Sequence, residues 1–438
     1  MAEQNRRSFI KHTAAGVAGA ATLAATGRAR AAAADKITVG LIGCGGRGPG
    51  VAGGVRSDKN AEIAYVCDPD RSRLAGAAKS FGVKPQRAVT DLRKMLDDKS
   101  VDAVIVATPD HWHAPASILA LEAGKHVYVE KPCSHNVREG RLLVEAAARN
   151  RRVVQHGTQS RSSRFIADGI QMLREGAIGT VLGAKAWNIQ RRGNIGHGQP
   201  SEPPAGFDYD LWLGPAPHVA YQRNRSHYNW HWWYAFGTGD MGNDGVHELD
   251  YARWGLGVET HPTRIVGLGG KYYHDDDQQF PDTQTVVFEY PGDGKTGSPR
   301  MLTFEMRLWD TNYPYNVDNG AEFYGTKGTL MLTKRGKIRV LDERNRPVEA
   351  KPKQPYPLKS DHHQRDFLDA IRTGRRPNAD ALTGHLSASL CHLGNIATRL
   401  GRSIEYDPDK EQIPGDADAA RLLGRQYRDN HWAVPQGA

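Results

Sequence analysis

Short apolar runs alternate with helically spaced segments over the first third of the chain. Residues 37–42 (ITVGLI), 61–67 (AEIAYVC), 101–107 (VDAVIVA), 126–129 (HVYV) and 153–155 (VVQ) read as buried strands. Between them, residues 91–97, 114–123 and 138–149 carry helical spacing, the second ending at Gly124. That alternation predicts βαβ units and a parallel sheet. After about residue 157 the texture changes. A helix is expected over 165–174, and residues 190–240 are loop-rich and aromatic. Strand-like runs follow at 264–268, 283–290, 301–309, 321–324, 329–332 and 337–341, then helices at 361–373 and 384–400. This is the pattern of an α+β domain with antiparallel strands. The expected division is a nucleotide-binding domain over 35–157, an α+β domain over 158–406, and a polar arm over 407–438, packed or loose.

Residues 1–34 read differently. Asn5-Arg6-Arg7-Ser8-Phe9-Ile10-Lys11 is a twin-arginine pattern, followed by an Ala/Gly-rich stretch and small residues suited to cleavage at 29–34. The apolar stretch is too short for a membrane span. A twin-arginine signal peptide is therefore expected, with the export machinery as a partner and the periplasm as destination. The net charge of +9 includes five Lys/Arg and one acid in this leader, leaving about +5 on the remaining residues. No basic block interleaved with aromatics points to nucleic acid. The four cysteines are scattered without a CxxC pair, which argues against a zinc ribbon or a disulfide framework.

The strand at 37–42 runs into Gly43-Cys44-Gly45-Gly46-Arg47-Gly48. In this strand–loop–helix context, Gly43 serves a tight turn, Gly45 admits a pyrophosphate to the backbone, and Gly48 lets the helix close on the strand. Asp68 ends the second strand, twenty residues beyond Gly48. An acid there accepts from both adenosine ribose hydroxyls and repels a 2′-phosphate, which favours NAD over NADP. Two further segments follow strands at the same sheet edge: Thr108-Pro109-Asp110-His111-Trp112-His113 and Glu130-Lys131-Pro132.

These segments, with GVHELDYARW at 245–254 and YGTKGTL at 324–330, make the chain resemble the Gfo/Idh/MocA oxidoreductases, which act mostly on sugars and polyols. The resemblance spans essentially all of residues 35–438. It implies an α/β Rossmann domain followed by an α+β domain with a large, mostly antiparallel open sheet, through which homodimers or homotetramers form. It also implies cofactor contacts from Gly43, Gly45, Gly46, Arg47, Gly48, Asp68, Thr108, Pro109, His111, Trp112, His113, Glu130, Lys131 and Gln159. Lys131 would lie near the nicotinamide and the reacting hydroxyl, and its bond to Pro132 can be cis in such sites.

Oxidising a secondary alcohol needs a hydride acceptor and a base. Lys131, its pKa lowered by desolvation beside a cationic ring, is the first candidate to carry the hydroxyl proton. His247, on a helix starting near Gly242, is the second. The family often has Asp four residues before this histidine; here that position is Asn243, with Asp244 one residue off and Asp240 a turn earlier. Asn243 would orient a hydroxyl but not act as a base. The aromatic segment 221–236 offers Tyr228, Trp230, His231 and Trp233 as walls and hydrogen-bonding groups for a sugar; with Arg161 and Asp240 they complete the expected substrate set. Packing of that segment against itself or another subunit is an equal alternative. The pairs His227/His231 and His111/His113 lack a carboxylate or cysteine set, so no metal is expected.

The expected activity is NAD-dependent oxidation of a secondary hydroxyl of a sugar or glycoside, with the cofactor tightly held and recycled in place because an exported enzyme has no NADH pool to draw on. The alternative is an NAD-dependent glycosidase that oxidises, eliminates, hydrates and re-reduces, although the Thr-His pattern of those relatives is missing. A non-catalytic carbohydrate-binding relative is the third reading, opposed by Lys131 and His247.

Overall fold

The computed structural model describes residues 36–295 and 297–438. The twin-arginine pattern and the leader lie outside the described residues.

The first sheet and its helices are β1 (Ile37–Ile42), α1 (Arg47–Arg56), β2 (Ala61–Cys67), α2 (Arg71–Phe81), β3 (Ala88–Val89), α3 (Arg93–Leu96), β4 (Ala103–Val106), α4 (Asp110–Glu122), β5 (His126–Val129), α5 (Val137–Asn150) and β6 (Val154–His156). All strands are parallel, in the order β3-β2-β1-β4-β5-β6. The reversal of direction beside β1 opens a crevice at the strands' carboxyl ends, where β1, β4 and β5 deliver their loops. Local chemistry sets the helix ends. Asp70 caps α2 by accepting from Ser72 N, and Gly82 ends that helix in the left-handed conformation. Asn136 caps α5 by accepting from Glu139 N.

The chain then forms α6 (Arg164–Arg174), β7 (Val181–Ile189), α7 (Tyr209–Leu213), α8 (Val246–Leu256), β8 (Arg264–Gly270), β9 (Thr283–Tyr290), β10 (Arg300–Arg307), β11 (Asn319–Gly325), β12 (Gly328–Leu332), β13 (Ile338–Asp342), α9 (His363–Thr373), α10 (Ala381–Leu400), β14 (Ile404–Glu405) and α11 (Ala417–Arg421). Its strands make an eight-stranded sheet, β13-β12-β11-β7-β10-β9-β8-β14, antiparallel except where β7 lies parallel to β10. Helices α6, α8 and α10 cover one face, burying Phe288, Phe304, Phe323 and Leu302. The opposite face is open and carries Val266, Leu268 and Met301, the second of them 70% exposed.

The central strand β7 is absent from the expected elements. Its sequence, VLGAKAWNI, holds Gly, two Ala and Lys and only two β-branched residues. Helix α4 starts at Asp110, four residues earlier than expected, and so takes in most of the 108–113 segment. Pro115 inside α4 cannot donate back to the carbonyl of His111, and Arg425 from the arm donates to that oxygen instead, at 2.7 Å.

Packing also crosses the expected boundaries. Phe367 and Leu368 of α9 join the core under α1, β1 and β2. Helix α10 is buried nearly all round because it packs against α5 of the first half and β8 of the second. The 407–438 arm is packed: Ala433 is buried in the first half's core with Trp432 against it.

Candidate functional site

β1 ends at Ile42, and Gly43 turns the chain with φ of +94°, a conformation that a side chain would strain. A Cβ on Gly48 would lie 2.0 Å from Gly43 O, so glycine there is what lets α1 approach β1. α1 begins at Arg47 with no side-chain cap and no acid in its first turn. Its leading N–H groups and positive dipole end therefore remain available to an anion at the crevice. Asp68 Oδ2 accepts from Cys44 N at 2.7 Å and Oδ1 from Asp70 N at 2.9 Å, which ties the acid to the glycine loop. Burial pushes this carboxyl up, against those two bonds and the charge of Arg73.

These groups wall a cavity of about 310 Å³ that extends to Lys131, Asn243 and the aromatic segment. Glycine turn, uncapped helix and buried acid share one wall, so the residues present fit a dinucleotide, with the pyrophosphate at α1 and the adenosine ribose at Asp68.

Glu130 and Lys131 follow β5. Glu130 is clamped by Arg47 at 2.8 Å, Gln159 at 3.2 Å and the Tyr128 hydroxyl at 3.4 Å. Burial opposes its ionisation, but Arg47 and Lys131 outweigh burial and hold Glu130 below the usual carboxylate range. Lys131 Nζ donates to Asn243 O and, at 3.2 Å, to Asn243 Oδ1. The Lys131–Pro132 bond is cis. His113 ties the two strand-end segments together, with Nδ1 2.6 Å from Pro132 O and Nε2 2.8 Å from Thr108 O. Burial lowers its pKa to about 4, so it is neutral and donates to one of the two.

Asn243 lies in a π-helical turn, Met241–Gly245, that leads into α8. The wider turn aims neighbouring side chains in different directions. Asn243 faces Lys131, and its Nδ2 donates to Asp240 Oδ1 at 2.7 Å. Asp240 is buried behind it, paired with Arg192 at 3.0 Å. Asp244 points elsewhere, to Lys334 at 2.8 Å and Gln190. His247 is half-buried one turn on, and burial, Lys334 and Lys131 hold it well below its ordinary pKa, as neutral imidazole.

The sequence-derived candidates thus divide. Gly43, Gly45, Gly46, Arg47, Asp68, Thr108, Pro109, Trp112, His113, Glu130, Lys131, Asn243, Tyr228, Trp230 and His231 wall the cavity. Gly48, Gln159 and Asp240 stand behind it, holding α1, Glu130 and Asn243. His111 needs correcting as a cofactor contact: it is fully buried, packed on the Trp212 and Phe236 rings and bonded to Trp212 O at 2.9 Å. Arg161 needs correcting as a substrate contact, because its guanidinium is spent in the interior on Asp250, at 2.9 Å, and on the Trp254 face. Trp233 lies under Arg225 in the segment's own aromatic core rather than on the cavity. The paired histidines do not converge: His227 bonds Asp70 at 3.1 Å, while His231 stacks on Trp230 at 3.6 Å. Among the described residues, the group placed to hold a metal is His261, His385 and Glu411, remote in sequence from these motifs, and Arg141 already pairs with its carboxylate.

Among the wall residues that escape the sequence reading, Asp110, Arg73 and Trp432 stand out by their chemistry. Asp110 is 1% exposed and accepts from Thr238 Oγ1 at 2.6 Å. Arg73 reaches the wall from α2. Trp432 comes from the arm, over the Arg93 guanidinium at 4.3 Å and beside Trp112.

Comparison with known proteins agrees with this geometry. Residues 37–158 match the Gfo/Idh/MocA oxidoreductase family's NAD-binding Rossmann fold, and residues 177–434 match its C-terminal alpha/beta domain. Inositol 2-dehydrogenase 4 of Saccharopolyspora erythraea is 35% identical over 368 residues, covering 84% of this chain and 94% of its own length. Glycosyl hydrolase family 109 protein 2 of Shewanella sp. (strain ANA-3) is 33% identical over 209 residues, 42% of this chain and 45% of that protein. A levoglucosan dehydrogenase solved with NADH shares the fold, with a TM-score of 0.64 at 18% identity over 84% of this chain and 98% of that one. With both halves matched in order across most of its length, the chain belongs to the Gfo/Idh/MocA family of oxidoreductases and is an NAD-binding enzyme.

Proposed function

We propose that this enzyme oxidises a secondary hydroxyl of a sugar, polyol or glycoside, with NAD held tightly and recycled in place. The observation that carries the reading is Lys131, fixed between the dinucleotide wall and the aromatic wall of one cavity. When bound, the nicotinamide accepts the hydride that leaves the substrate's carbinol carbon. Asn243 O and Oδ1 engage two positions on Lys131 Nζ. The remaining position faces the cavity, where it takes the hydroxyl proton as the carbonyl forms and returns it in the reverse half-reaction. Asn243 is a positioning residue, itself fixed by Asp240 and Arg192. Neutral His247 accepts a hydrogen bond from a neighbouring hydroxyl. Tyr228, Trp230 and His231 present flat faces to the sugar's C–H bonds.

The twin-arginine pattern supports export of the folded, loaded enzyme to the periplasm. The open sheet face with Val266, Leu268 and Met301 supports a homodimer or homotetramer. The matched glycosyl hydrolase family 109 relative favours a second reading, in which oxidation is transient and a glycoside is hydrolysed without net redox change.

The test is to purify the protein without added nucleotide, denature it and identify the released nucleotide by mass spectrometry. Near-stoichiometric NAD(H) is expected. A folded protein that releases none and binds no added NAD would refute the reading. Free sugar appearing from a glycoside without accumulating oxidised product would select the glycosidase.

A further inference from the structure

Behind the catalytic loop lies a second cavity of about 530 Å³. The start of α5, the last turns of α10, residues 234–238 and residues 421–426 in the middle of the arm enclose it. Three of its wall residues are arginines, Arg399, Arg421 and Arg425, and none is Asp or Glu. The Arg399 guanidinium lies 4.1 Å over the Tyr234 ring, and no acid pairs with it among the described residues. Arg421 pairs with Asp418 outside the cavity. Arg425 spends Nε and Nη2 on Glu139 and His111 O, but its Nη1 is buried without a partner.

Asn136 is 4% exposed, and its Oδ1 is committed to capping α5. Its Nδ2 is buried and unpartnered. A buried donor left unmet keeps the full cost of its desolvation. Here unmet donors on Asn136 and Arg425 belong to the lining of one cavity that also carries three guanidinium groups; acids outside the walls pair with Arg421 and Arg425, and Arg399 has no acid partner among the described residues. Fixed guanidinium forks and amide donors are suited to carboxylate or phosphate oxygens, and Tyr234 and Phe280 offer an apolar wall to a small organic body.

We propose that this cavity is a second binding site, separate from the reaction cavity, for a small organic anion carrying carboxylate or phosphate groups. The two cavities share a wall. Thr238 lines the second, and its hydroxyl donates to Asp110 on the first. His135 lies four residues beyond Lys131 on the same loop. An occupant is thereby placed to sense or steady the segment that holds the catalytic lysine.

The test is isothermal titration calorimetry of the NAD-saturated full chain with citrate and, separately, inorganic phosphate, against sodium chloride at matched ionic strength. Saturating NAD fills the other anion-binding place, at α1. Saturable binding of at least one probe is expected, with a Kd below about 1 mM. Arg399→Gln/Arg421→Gln, which alters two exposed side chains, should weaken it roughly tenfold or more while leaving NAD binding unchanged. Citrate binding alone points to a carboxylate ligand and phosphate binding alone to a phosphoryl ligand. No saturable heat with either probe, equal affinity in the double variant, or displacement of NAD would overturn the proposal.

Discussion

Asp110 offers the sharpest quantitative check. It opens α4 on the wall of the reaction cavity, and burial pushes its carboxyl up to about 7, with the Thr238 bond and the Lys131 charge opposing only in part. In the unfolded chain the same group ionises near 3.9. The folded chain therefore keeps a proton that the unfolded chain releases, and stability falls as pH rises from about 4 to about 7. At about 1.4 kcal/mol per pH unit, the full penalty is about 4 kcal/mol, of which about 2.5 kcal/mol accrues between pH 5 and pH 8. Asp110→Asn keeps the shape and an oxygen for Thr238 but cannot ionise. Glu248, pushed up to about 8 first by burial, carries linkage of the same sign, but it is present in both proteins and cancels in their difference. Urea unfolding followed by tryptophan fluorescence should show the variant gaining about 2.5 kcal/mol on the parent between pH 5 and pH 8. A gap that stays constant across that range would refute the ionisation assigned to Asp110.

Two further perturbations probe the reaction cavity. Lys131→Met should lower the hydride-transfer rate by about 10²–10⁴ while nucleotide is still released on denaturation, as read by single-turnover absorbance and mass spectrometry; near-parental turnover would remove the lysine from the chemistry. Trp432→Ala takes away an aromatic wall at the β3 end of the cavity, and losing about 1.5–3 kcal/mol of burial should speed NAD release at least tenfold in a dilution chase. An unchanged release rate would mean that the arm does not hold the cofactor.

What could be read from the chain follows from how far apart the partners lie. The glycine loop, Asp68 and Lys131 were legible because each is set by the strand immediately before it, and a strand end carries its next residues to the sheet edge without help from elsewhere. The 108–113 segment shows how one boundary alters a site. With α4 starting at Asp110, residues 110 and 113 fall on one side of the helix, toward the cavity, and His111 turns into the protein. A helix expected only from 114 hides that phase: the sequence holds no reason to single out Asp110, or to turn His111 away from the contact that the resemblance implies. Arg161 and Arg425 illustrate the opposite limit. Their partners, Asp250 and His111, lie 89 and 314 residues away, and no local pattern records such a pairing. The arm is the strongest case: in sequence it reads only as polar, and either packed or loose, whereas in the fold Arg425 supplies the hydrogen bond that Pro115 denies to α4, and Trp432 closes the cavity that α4 opens. A proline in the helix and a distant arginine are thus two halves of one backbone requirement, and only the folded chain shows them together.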